Sequence, residues 1–181
     1  VFVTDAPRVW LSRLAARFFA AQPQVMAAVT GTNGKTSTVH FLRQIWAHAG
    51  LAAASLGTTG VEGEGFEEPA THTTPEPVTL HALLARLAAK GCTHAAMEAS
   101  SHGLAQHRLD GVRLAAGGFT NISRDHLDYH PTFEAYLAAK MRLFGAVLPE
   151  GSAAVISADD PSGLHARSVA EARGLRVILT G

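Results

Sequence analysis

The chain has 181 residues and a formal net charge of zero, because its 15 lysine and arginine residues balance 15 aspartate and glutamate residues. This balance gives no basic surface of the kind that attracts nucleic acids or anionic membranes, so we expect neither partner. No run approaches the ~18 apolar residues of a membrane-spanning helix, and no segment has the pattern of a secretory signal peptide. The lone Cys92 cannot form an intrachain disulfide. We therefore expect a cytoplasmic globular protein.

Apolar residues recur along the chain with periods that alternate between those of helices and strands. The predicted helices cover residues 7–21, 39–49, 77–90 and 133–144, with another opening at 160. The predicted strands cover residues 25–30, 52–56, 94–98, 114–120, 153–157 and 175–179, and residues 57–69 are predicted to form an exposed hairpin or loop. This alternation predicts an α/β fold with a mostly parallel sheet flanked by helices.

A glycine-rich segment, residues 30–37, follows the first predicted strand and leads into a helix; we call it the phosphate loop. Glycines let backbone N–H groups turn toward phosphate oxygens, and the helix N-terminus adds a favourable dipole. Lys35 would neutralise the β- and γ-phosphates, and the Thr36 hydroxyl would bind Mg²⁺. Val29 stands where the full Walker A spacing has glycine, so an ordinary glycine turn is the competing interpretation. The predicted nucleotide-binding residues are Gly31, Thr32, Asn33, Gly34, Lys35, Thr36 and Ser37.

Polar residues follow the predicted strands at 94–98 and 114–120. Because ligands bind beyond the carboxyl ends of parallel strands, these residues should gather with the phosphate loop at one edge of the sheet. Glu98 ends one of these strands, and a carboxylate beside a triphosphate is costly unless a cation lies between them. We therefore interpret Glu98 as a Mg²⁺ ligand, with an acid at a surface strand end as the simpler alternative.

Two histidines and a lysine follow the fourth predicted strand. His126 and His130 lie four residues apart and could form a metal pair, although the H-E-x-x-H pattern of zinc proteases is absent and His130 alone is better explained as a polar loop residue. Lys140 shares the apolar, inward stripe of its helix with Phe133 and Leu137. Two interpretations stay open: the ammonium reaches out to solvent, or a neutral buried amine reacts with carbon dioxide to give a metal-binding carbamate.

Together these motifs resemble those of the Mur ligase family. Residues 30–37 look like that family's phosphate loop, in which TGTNGKT is the usual form and the Walker glycine is often missing. Four more segments carry the resemblance: residues 73–77 (TTPEP), 98–104 (EASSHGL), 125–130 (DHLDYH) and 138–140 (AAK). Within the family the tripeptide synthetases (MurE) are the most similar branch, and the match covers nearly all of the 181 residues.

The resemblance implies a role for each matched residue. Lys35, Glu98, His126 and Lys140 would form the catalytic set. Thr36 and Glu98 would bind Mg²⁺, with His126 near a second Mg²⁺ and Lys140 carbamylated as a further metal ligand. The residues that match the binding site for the UDP-muramyl dipeptide, which we call the acceptor site, are His72, Thr73, Thr74, Ser100, Gln106 and Arg108. His72 stands where the family commonly has asparagine.

The resemblance also implies a domain organisation and a reaction. Residues 1–24 would be a helix and linker from an absent N-terminal domain, and residues 25–181 a C-terminally incomplete central ATP-binding domain, acting as a monomer. ATP would phosphorylate the side-chain carboxylate of D-glutamate, and the amine of a diamino acid would attack the acyl phosphate. Whether that amino acid is meso-diaminopimelate or L-lysine stays open at this point. The isolated chain is expected to have little or no ligase activity.

Other functions compete with this one. A folylpolyglutamate synthase-like ligase shares the phosphate loop and the lysine, but the TTPEP and SSHGL segments argue against it. A nucleotide-binding module without catalysis would not require Glu98, His126 or Lys140. A P-loop phosphotransferase gives no reason for an inward lysine at position 140.

Overall fold

The computed structural model describes residues 3–69, 72–125 and 129–181. The strands are β1 (Val25–Thr30), β2 (Ala53–Gly57), β3 (Gly60–Glu62), β4 (His94–Glu98), β5 (Ala116–Phe119), β6 (Ala153–Ser157) and β7 (Arg176–Thr180). The helices are α1 (Pro7–Phe19), α2 (Lys35–His48), α3 (Pro77–Ala89), α4 (Ser101–Ala105), α5 (Phe133–Arg142) and α6 (Gly163–Ala172), and α5 continues into a π-helical turn (Leu143–Val147).

The strands form one sheet in the order β3-β2-β4-β1-β5-β6-β7. Every neighbouring pair is parallel except β2 and β3, which form a hairpin. The predicted α/β fold with a mostly parallel sheet is therefore confirmed. Because β1 lies between β4 and β5, the phosphate loop after β1 and the segments after β4 and β5 meet at one edge of the sheet.

The two faces of the sheet carry different cores. Met26 and Ala28 of β1 are fully buried in the larger core, with apolar residues from α3, α5 and α6. Val29 points to the opposite face, where Val39 of α2 packs against it and against Ala96 of β4. Side chains along β1 alternate between the two faces of the sheet. Because Val29 packs against Val39, the first turns of α2 lie against the sheet close to the phosphate loop.

Several local expectations differ from the structure. Helix α1 begins after Ala6 and has no side-chain hydrogen bond at its N-cap. Its buried residues are the small Ser12 and Ala15, which pack toward α3, while the apolar residues that predicted the helix are exposed. Helix α4 was not predicted, because five residues are too few to show a helical period; Ser100 caps it by accepting from the Gly103 N–H. In the part of the chain that the structure describes, no helix is long and apolar enough to cross a membrane.

The buried His81 on α3 is expected to lower the stability of the folded state at acid pH. Its side chain is buried, neither ring nitrogen has a hydrogen-bond partner, and burial, reinforced by the positive charge of Arg113, lowers its pKa from 6.5 to about 4. Above pH 6.5 the imidazole is neutral in both the folded and unfolded states. As the pH falls from 6.5 toward 4, the unfolded chain takes up a proton that the folded chain resists, so up to about 3 kcal/mol of stability is lost.

The measurement is the thermal midpoint of unfolding between pH 8 and pH 4 for the protein and its His81→Leu variant. We expect the variant to lose less stability on acidification, because no buried imidazole remains to be protonated. His165→Leu, which changes an exposed histidine of α6, is the matched control and should follow the parent curve. Parallel pH profiles for parent and His81→Leu would show that His81 has no part in the acid sensitivity.

Candidate active site

The phosphate loop leaves β1 and enters α2 at Lys35. Gly31 has a φ of 151°, and a Cβ there would collide with the Thr120 side chain, so the position requires glycine. Two residues at the end of β5 hold the loop: the Asn33 N–H donates to Asn121 Oδ1 (3.0 Å), and Thr120 Oγ1 donates to the Asn33 carbonyl (2.7 Å). The gathering of these strand ends was predicted, whereas their support of the loop was not.

Glu98 ends β4 with only 1% of its surface exposed, so its interpretation as a surface acid is wrong. Its Oε1 accepts from Thr36 Oγ1 (2.9 Å) and from the Thr58 N–H (2.9 Å). A Cβ at Gly57 would collide with the carboxylate, so the turn after β2 closes around Glu98 only because residue 57 is glycine. Thr58 was missed by the sequence analysis, although it follows a strand that ends at the same sheet edge.

Two lysines contact the phosphate loop. Lys35 Nζ donates to the carbonyls of Gly31 (2.9 Å) and Thr32 (2.8 Å), and Lys140 Nζ also donates to the Gly31 carbonyl (2.7 Å). Lys140 is 1% exposed, so the interpretation in which it reaches solvent is wrong. Burial, reinforced by the charge of Lys35 and opposed by Asp125, lowers the pKa of Lys140 to about 7. A substantial fraction of this side chain is therefore a neutral amine near neutral pH.

Burial also lowers the pKa of Lys35, against the opposing effect of the negative charges of Glu98 and Asp125. Lys35 now donates to two loop carbonyls. A phosphate at the N-terminus of α2 could accept from its ammonium in their place. The Lys35 ammonium therefore lies within the loop, where it could contact a bound phosphate.

Tyr136 connects Lys140 to the phosphate loop and was not predicted. Its ring lies 4.5 Å from Lys140 Nζ, and its hydroxyl lies 3.1 Å from Thr32 Oγ1. Burial raises the pKa of Tyr136, so the phenol stays protonated. The only sequence signal was its position four residues before Lys140, on the same face of α5.

The acceptor site begins on the other side of Glu98. Thr74 Oγ1 donates to the Glu98 carbonyl (2.9 Å) and accepts from the Ser100 N–H (3.0 Å), which ties the segment at 72–76 to the end of β4. Arg108 donates through Nη1 to the Thr74 carbonyl (2.6 Å) and through Nη2 to Gln106 Oε1 (2.6 Å), and it also pairs with Glu76. The guanidinium is thus held at the cavity wall.

A cavity of about 560 Å³ brings most of the predicted residues together. Its lining includes Thr32, Asn33, Gly34, Lys35, Thr36, His72, Thr73, Thr74, Glu98, Ser100, Arg108 and Lys140. Thr58, Ser101 and His102 line it as well and were not predicted. Gly31, Ser37 and Gln106 do not line it: Gly31 is buried, Ser37 is exposed on α2, and Gln106 lies behind Arg108. The prediction for His126 falls outside the described residues.

His130 lies in a loop, as expected, but its side chain is buried. It is 4% exposed, and its ring lies 5.3 Å from that of Tyr136, 4.9 Å from that of Tyr129 and 5.6 Å from that of His102. The imidazole therefore packs among aromatic rings that include His102, which lines the cavity. A four-residue spacing in the sequence did not reveal this, because the contacts come from α4 and α5.

The chemistry of the donors fits Mg²⁺. Among residues 3–69, 72–125 and 129–181, no group of three or more His, Cys, Asp or Glu side chains could hold a metal ion by itself. Glu98 and Thr36 provide one carboxylate and one hydroxyl, both hard oxygen donors, beside the helix N-terminus that suits phosphate. Mg²⁺ is commonly bound by one or two carboxylates together with substrate phosphates and waters, so this small set of donors is sufficient.

The chain resembles known proteins in both sequence and fold. Residues 29–181 match the family described as the Mur ligase middle domain. The chain is 60% identical over 181 residues to a UDP-N-acetylmuramoyl-L-alanyl-D-glutamate–2,6-diaminopimelate ligase of Agrobacterium fabrum, covering 100% of this chain and 37% of that protein. A solved structure of a ligase of the same name superposes with a TM-score of 0.84 at 34% identity, covering 98% of this chain and 37% of that one.

A second solved structure shares the fold at much lower sequence identity. E. coli FolC, solved with ADP, has a TM-score of 0.70 at 21% identity, covering 100% of this chain and 48% of that one. At this identity the likeness shows the fold alone. The chain spans a little over a third of the length of the curated relatives that it matches, 37% in the A. fabrum case.

Proposed function

The chain belongs to the Mur ligase family, and we propose that it is the ATP-binding part of a ligase that joins meso-diaminopimelate to UDP-N-acetylmuramoyl-L-alanyl-D-glutamate. The choice of diaminopimelate over L-lysine rests on the name of the 60% identical relative. The observation that carries the proposal is the hydrogen bond between Thr36 and the buried carboxylate of Glu98, 2.9 Å long, in the same cavity as the buried amine of Lys140. A nucleotide-binding module without catalysis would need neither buried group.

We propose that residues 25–181 are a central ATP-binding domain and that residues 1–24 are a helix and linker leading to it from another domain. The binding of ATP is supported by the phosphate loop: backbone N–H groups and the α2 N-terminus face the β- and γ-phosphates. Lys35 then exchanges its contacts with the carbonyls of Gly31 and Thr32 for the phosphates. Thr36 and Glu98 would hold Mg²⁺ beside the phosphates, and a role for His126 at a second Mg²⁺ stays a prediction from the family resemblance.

The acceptor site binds the UDP-muramyl dipeptide and directs the side-chain carboxylate of its D-glutamate toward the γ-phosphate. Arg108, Thr73, Thr74, Ser100 and His72 hold the acceptor, so that the carboxylate oxygen lies in line with the bond that breaks. Phosphoryl transfer gives an acyl phosphate and ADP, and the amine of diaminopimelate displaces phosphate to form the amide. Bound Mg²⁺ offsets the repulsion between the carboxylate and the triphosphate.

Lys140 has a chemical role in this proposal. Its neutral amine reacts with carbon dioxide, losing a proton, and the resulting carbamate is an anionic oxygen ligand for Mg²⁺. The buried position and the pKa of about 7 support this step, because an ordinary lysine is almost fully protonated at neutral pH. Carbamylation also turns an unfavourable pair of neighbouring cations, Lys35 and Lys140, into an attractive one. We propose cytoplasmic action, since ATP is available there.

The test is Mg²⁺-dependent ADP formation by the complete gene product with UDP-N-acetylmuramoyl-L-alanyl-D-glutamate. We expect turnover with meso-diaminopimelate, little with L-lysine, and none without the muramyl dipeptide. A Lys35→Met variant should be inactive, whereas Lys90→Met, which changes an exposed lysine at the end of α3, should match the parent. Turnover with a folate and glutamate instead would assign the protein to folylpolyglutamate synthesis, and inactivity with every pair would overturn the ligase proposal.

A further inference from the structure

Three polar side chains, which we call the Arg142 cluster, pack together behind the acceptor site. His107 Nδ1 lies 2.8 Å from Asp110 Oδ2 and 2.8 Å from Arg142 Nη2. Arg142 Nη2 also contacts both carboxylate oxygens of Asp110, at 3.2 and 3.3 Å. The side chain of Asp110 is 13% exposed, and those of His107 and Arg142 are 27% exposed, so the cluster is largely shielded from solvent. None of the three lines the cavity.

The cluster surrounds an unusual backbone conformation. His107 has a φ of 59°, and among the described residues it shares a positive φ only with Ala20 and several glycines. A non-glycine residue adopts this left-handed region at a cost in energy, and it persists only where surrounding contacts enforce it. At His107 two backbone hydrogen bonds that close α4, from the His107 N–H to the Leu104 carbonyl (3.1 Å) and from the Arg108 N–H to the Gly103 carbonyl (2.9 Å), favour this conformation, and the ring contacts with Asp110 and Arg142 reinforce it.

Both residues next to His107 were predicted to bind the acceptor; Arg108 lines the cavity, and Gln106 does not. Gln106 and Arg108 bond to each other across the turn, and Arg108 reaches on to the Thr74 carbonyl. With an ordinary negative φ at His107, the chain would leave the turn in another direction and move Arg108 away from Thr74. The strained residue therefore sets the direction of the guanidinium that faces the acceptor.

Helix α5 anchors this turn from one side. Arg142 Nε donates to the Leu104 carbonyl at the end of α4 (2.9 Å), in addition to its contacts in the cluster. The same helix carries Lys140, which donates to the Gly31 carbonyl of the phosphate loop. One rigid helix thus holds the phosphate loop through Lys140 and the acceptor turn through Arg142, only two residues further along.

Helix α1 anchors the turn from the other side. The Ser12 hydroxyl donates to the Arg108 carbonyl (3.2 Å) and accepts from the Gly111 N–H (3.1 Å), and Ser12 is fully buried. The backbone of residues 108–111 is thereby fixed independently of the cluster. Loss of the cluster should consequently loosen the turn at Gln106 and His107, and with it the Gln106 side chain that holds the Arg108 guanidinium, without unfolding residues 108–111.

We propose that Arg142 is a positioning residue for the acceptor substrate: through Leu104, His107 and Asp110 it holds the turn after α4 in the conformation that directs Arg108 toward the UDP-muramyl dipeptide. This inference rests on the proposed function, because it takes the acceptor to bind at Arg108. If Arg142 positions the acceptor, its substitution should selectively weaken acceptor binding; a purely structural ion pair would not have this selective effect.

The test uses the complete gene product with Arg142→Met. We expect the KM for the UDP-muramyl dipeptide to rise by about tenfold or more, while kcat and the KM for ATP stay within about threefold. Arg142→Lys keeps the charge but loses the two-pronged contact, so its KM should lie between those of parent and Arg142→Met. If Arg142→Met folds poorly, the isosteric Asp110→Asn takes its place in the test and should raise the same KM.

A second variant separates positioning from simple stabilisation. Glycine adopts a positive φ without cost, so His107→Gly combined with Arg142→Met should recover part of the lost acceptor affinity. Arg167→Met, which removes an exposed ion pair with Glu171, is the matched control and should leave every kinetic constant unchanged. Equal changes in both KM values and kcat, or no recovery with glycine at position 107, would overturn the inference. A parent enzyme that fails to bind the muramyl dipeptide in calorimetry would overturn the proposed function itself.

Discussion

Lys140→Met is expected to lower kcat of the complete ligase by about 10²–10³-fold, the loss typical of removing one preorganised electrostatic group from an active site. The thermal midpoint of unfolding should stay the same or rise. Methionine has nearly the volume of lysine and fills the buried space beside Tyr136 without an ionisable group. The Gly31 carbonyl, which accepts from Lys140, keeps its second hydrogen bond from Lys35.

The same side chain predicts a dependence on carbon dioxide and on pH. Removal of dissolved carbon dioxide should lower the activity of the parent enzyme, and added bicarbonate should restore it. Only the neutral amine forms a carbamate, so the restoration should be fast at pH 8 and weak at pH 6, on either side of the pKa of about 7 for Lys140. Lys140→Met should respond to neither treatment, and the exposed Lys90→Met should behave as the parent.

Kinetics and carbon-13 NMR test this prediction. Carbamylation of the buried amine should be seen as a carbon-13 resonance that appears with labelled bicarbonate in the parent and is absent in Lys140→Met. Activity that survives in Lys140→Met, or that ignores carbon dioxide in the parent, would leave Lys140 with only the loop-supporting contact at Gly31.

The sheet was predictable because its signal is local. Short apolar runs bounded by glycine and proline mark strands such as 25–30 and 94–98, and their alternation with helices implies parallel pairing. The five-residue α4 was missed because one turn of helix has no measurable period. The predicted helix ended at Phe144, so the π-helical turn at Leu143–Val147 was missed beyond that residue.

A site residue could be predicted from the sequence when its own residue type and position suggest a role. It could not be predicted when its role depends on contacts with residues that are distant in the chain. The roles proposed for Lys35 and Glu98 follow from residue type and position at strand ends. Thr58 could not be identified, because its importance comes from a backbone N–H that reaches Glu98 from another strand. The same holds for Arg142, whose partners lie 32 to 38 residues away along the chain. Such contacts depend on how the helices pack, which sequence periodicity does not encode.

Glu98→Gln is expected to lower kcat/KM by about 10²–10³-fold and to shift the Mg²⁺ concentration for half-maximal rate upward. Glutamine has the shape of glutamate, and its side-chain oxygen can still accept from Thr36 and the Thr58 N–H, so the local structure is preserved. What is lost is a full negative charge, 1% exposed, in the position where a hard cation would lie between protein and triphosphate.

Stability should move in the other direction from activity. A buried carboxylate is costly to desolvate when no cation accompanies it, and its neutral isostere avoids that cost. Without Mg²⁺ the thermal midpoint of Glu98→Gln should therefore equal or exceed that of the parent, as is common for residues kept for function rather than folding. Addition of Mg²⁺ and a nonhydrolysable ATP analogue should stabilise the parent more than the variant, because ligand binding to the folded state adds to its stability.

The matched control is Glu64→Gln, which removes an exposed carboxylate from the segment after β3 and should leave both the Mg²⁺ curve and the midpoint unchanged. Gly57→Ala approaches the same carboxylate from outside, because the added Cβ would displace it from the turn around Thr58. If Glu98 holds the cation, Gly57→Ala should reproduce the Mg²⁺ shift of Glu98→Gln although it changes no charge. Superimposable Mg²⁺ curves for parent and Glu98→Gln would instead assign the carboxylate to holding the turn after β2 and leave the cation to other groups.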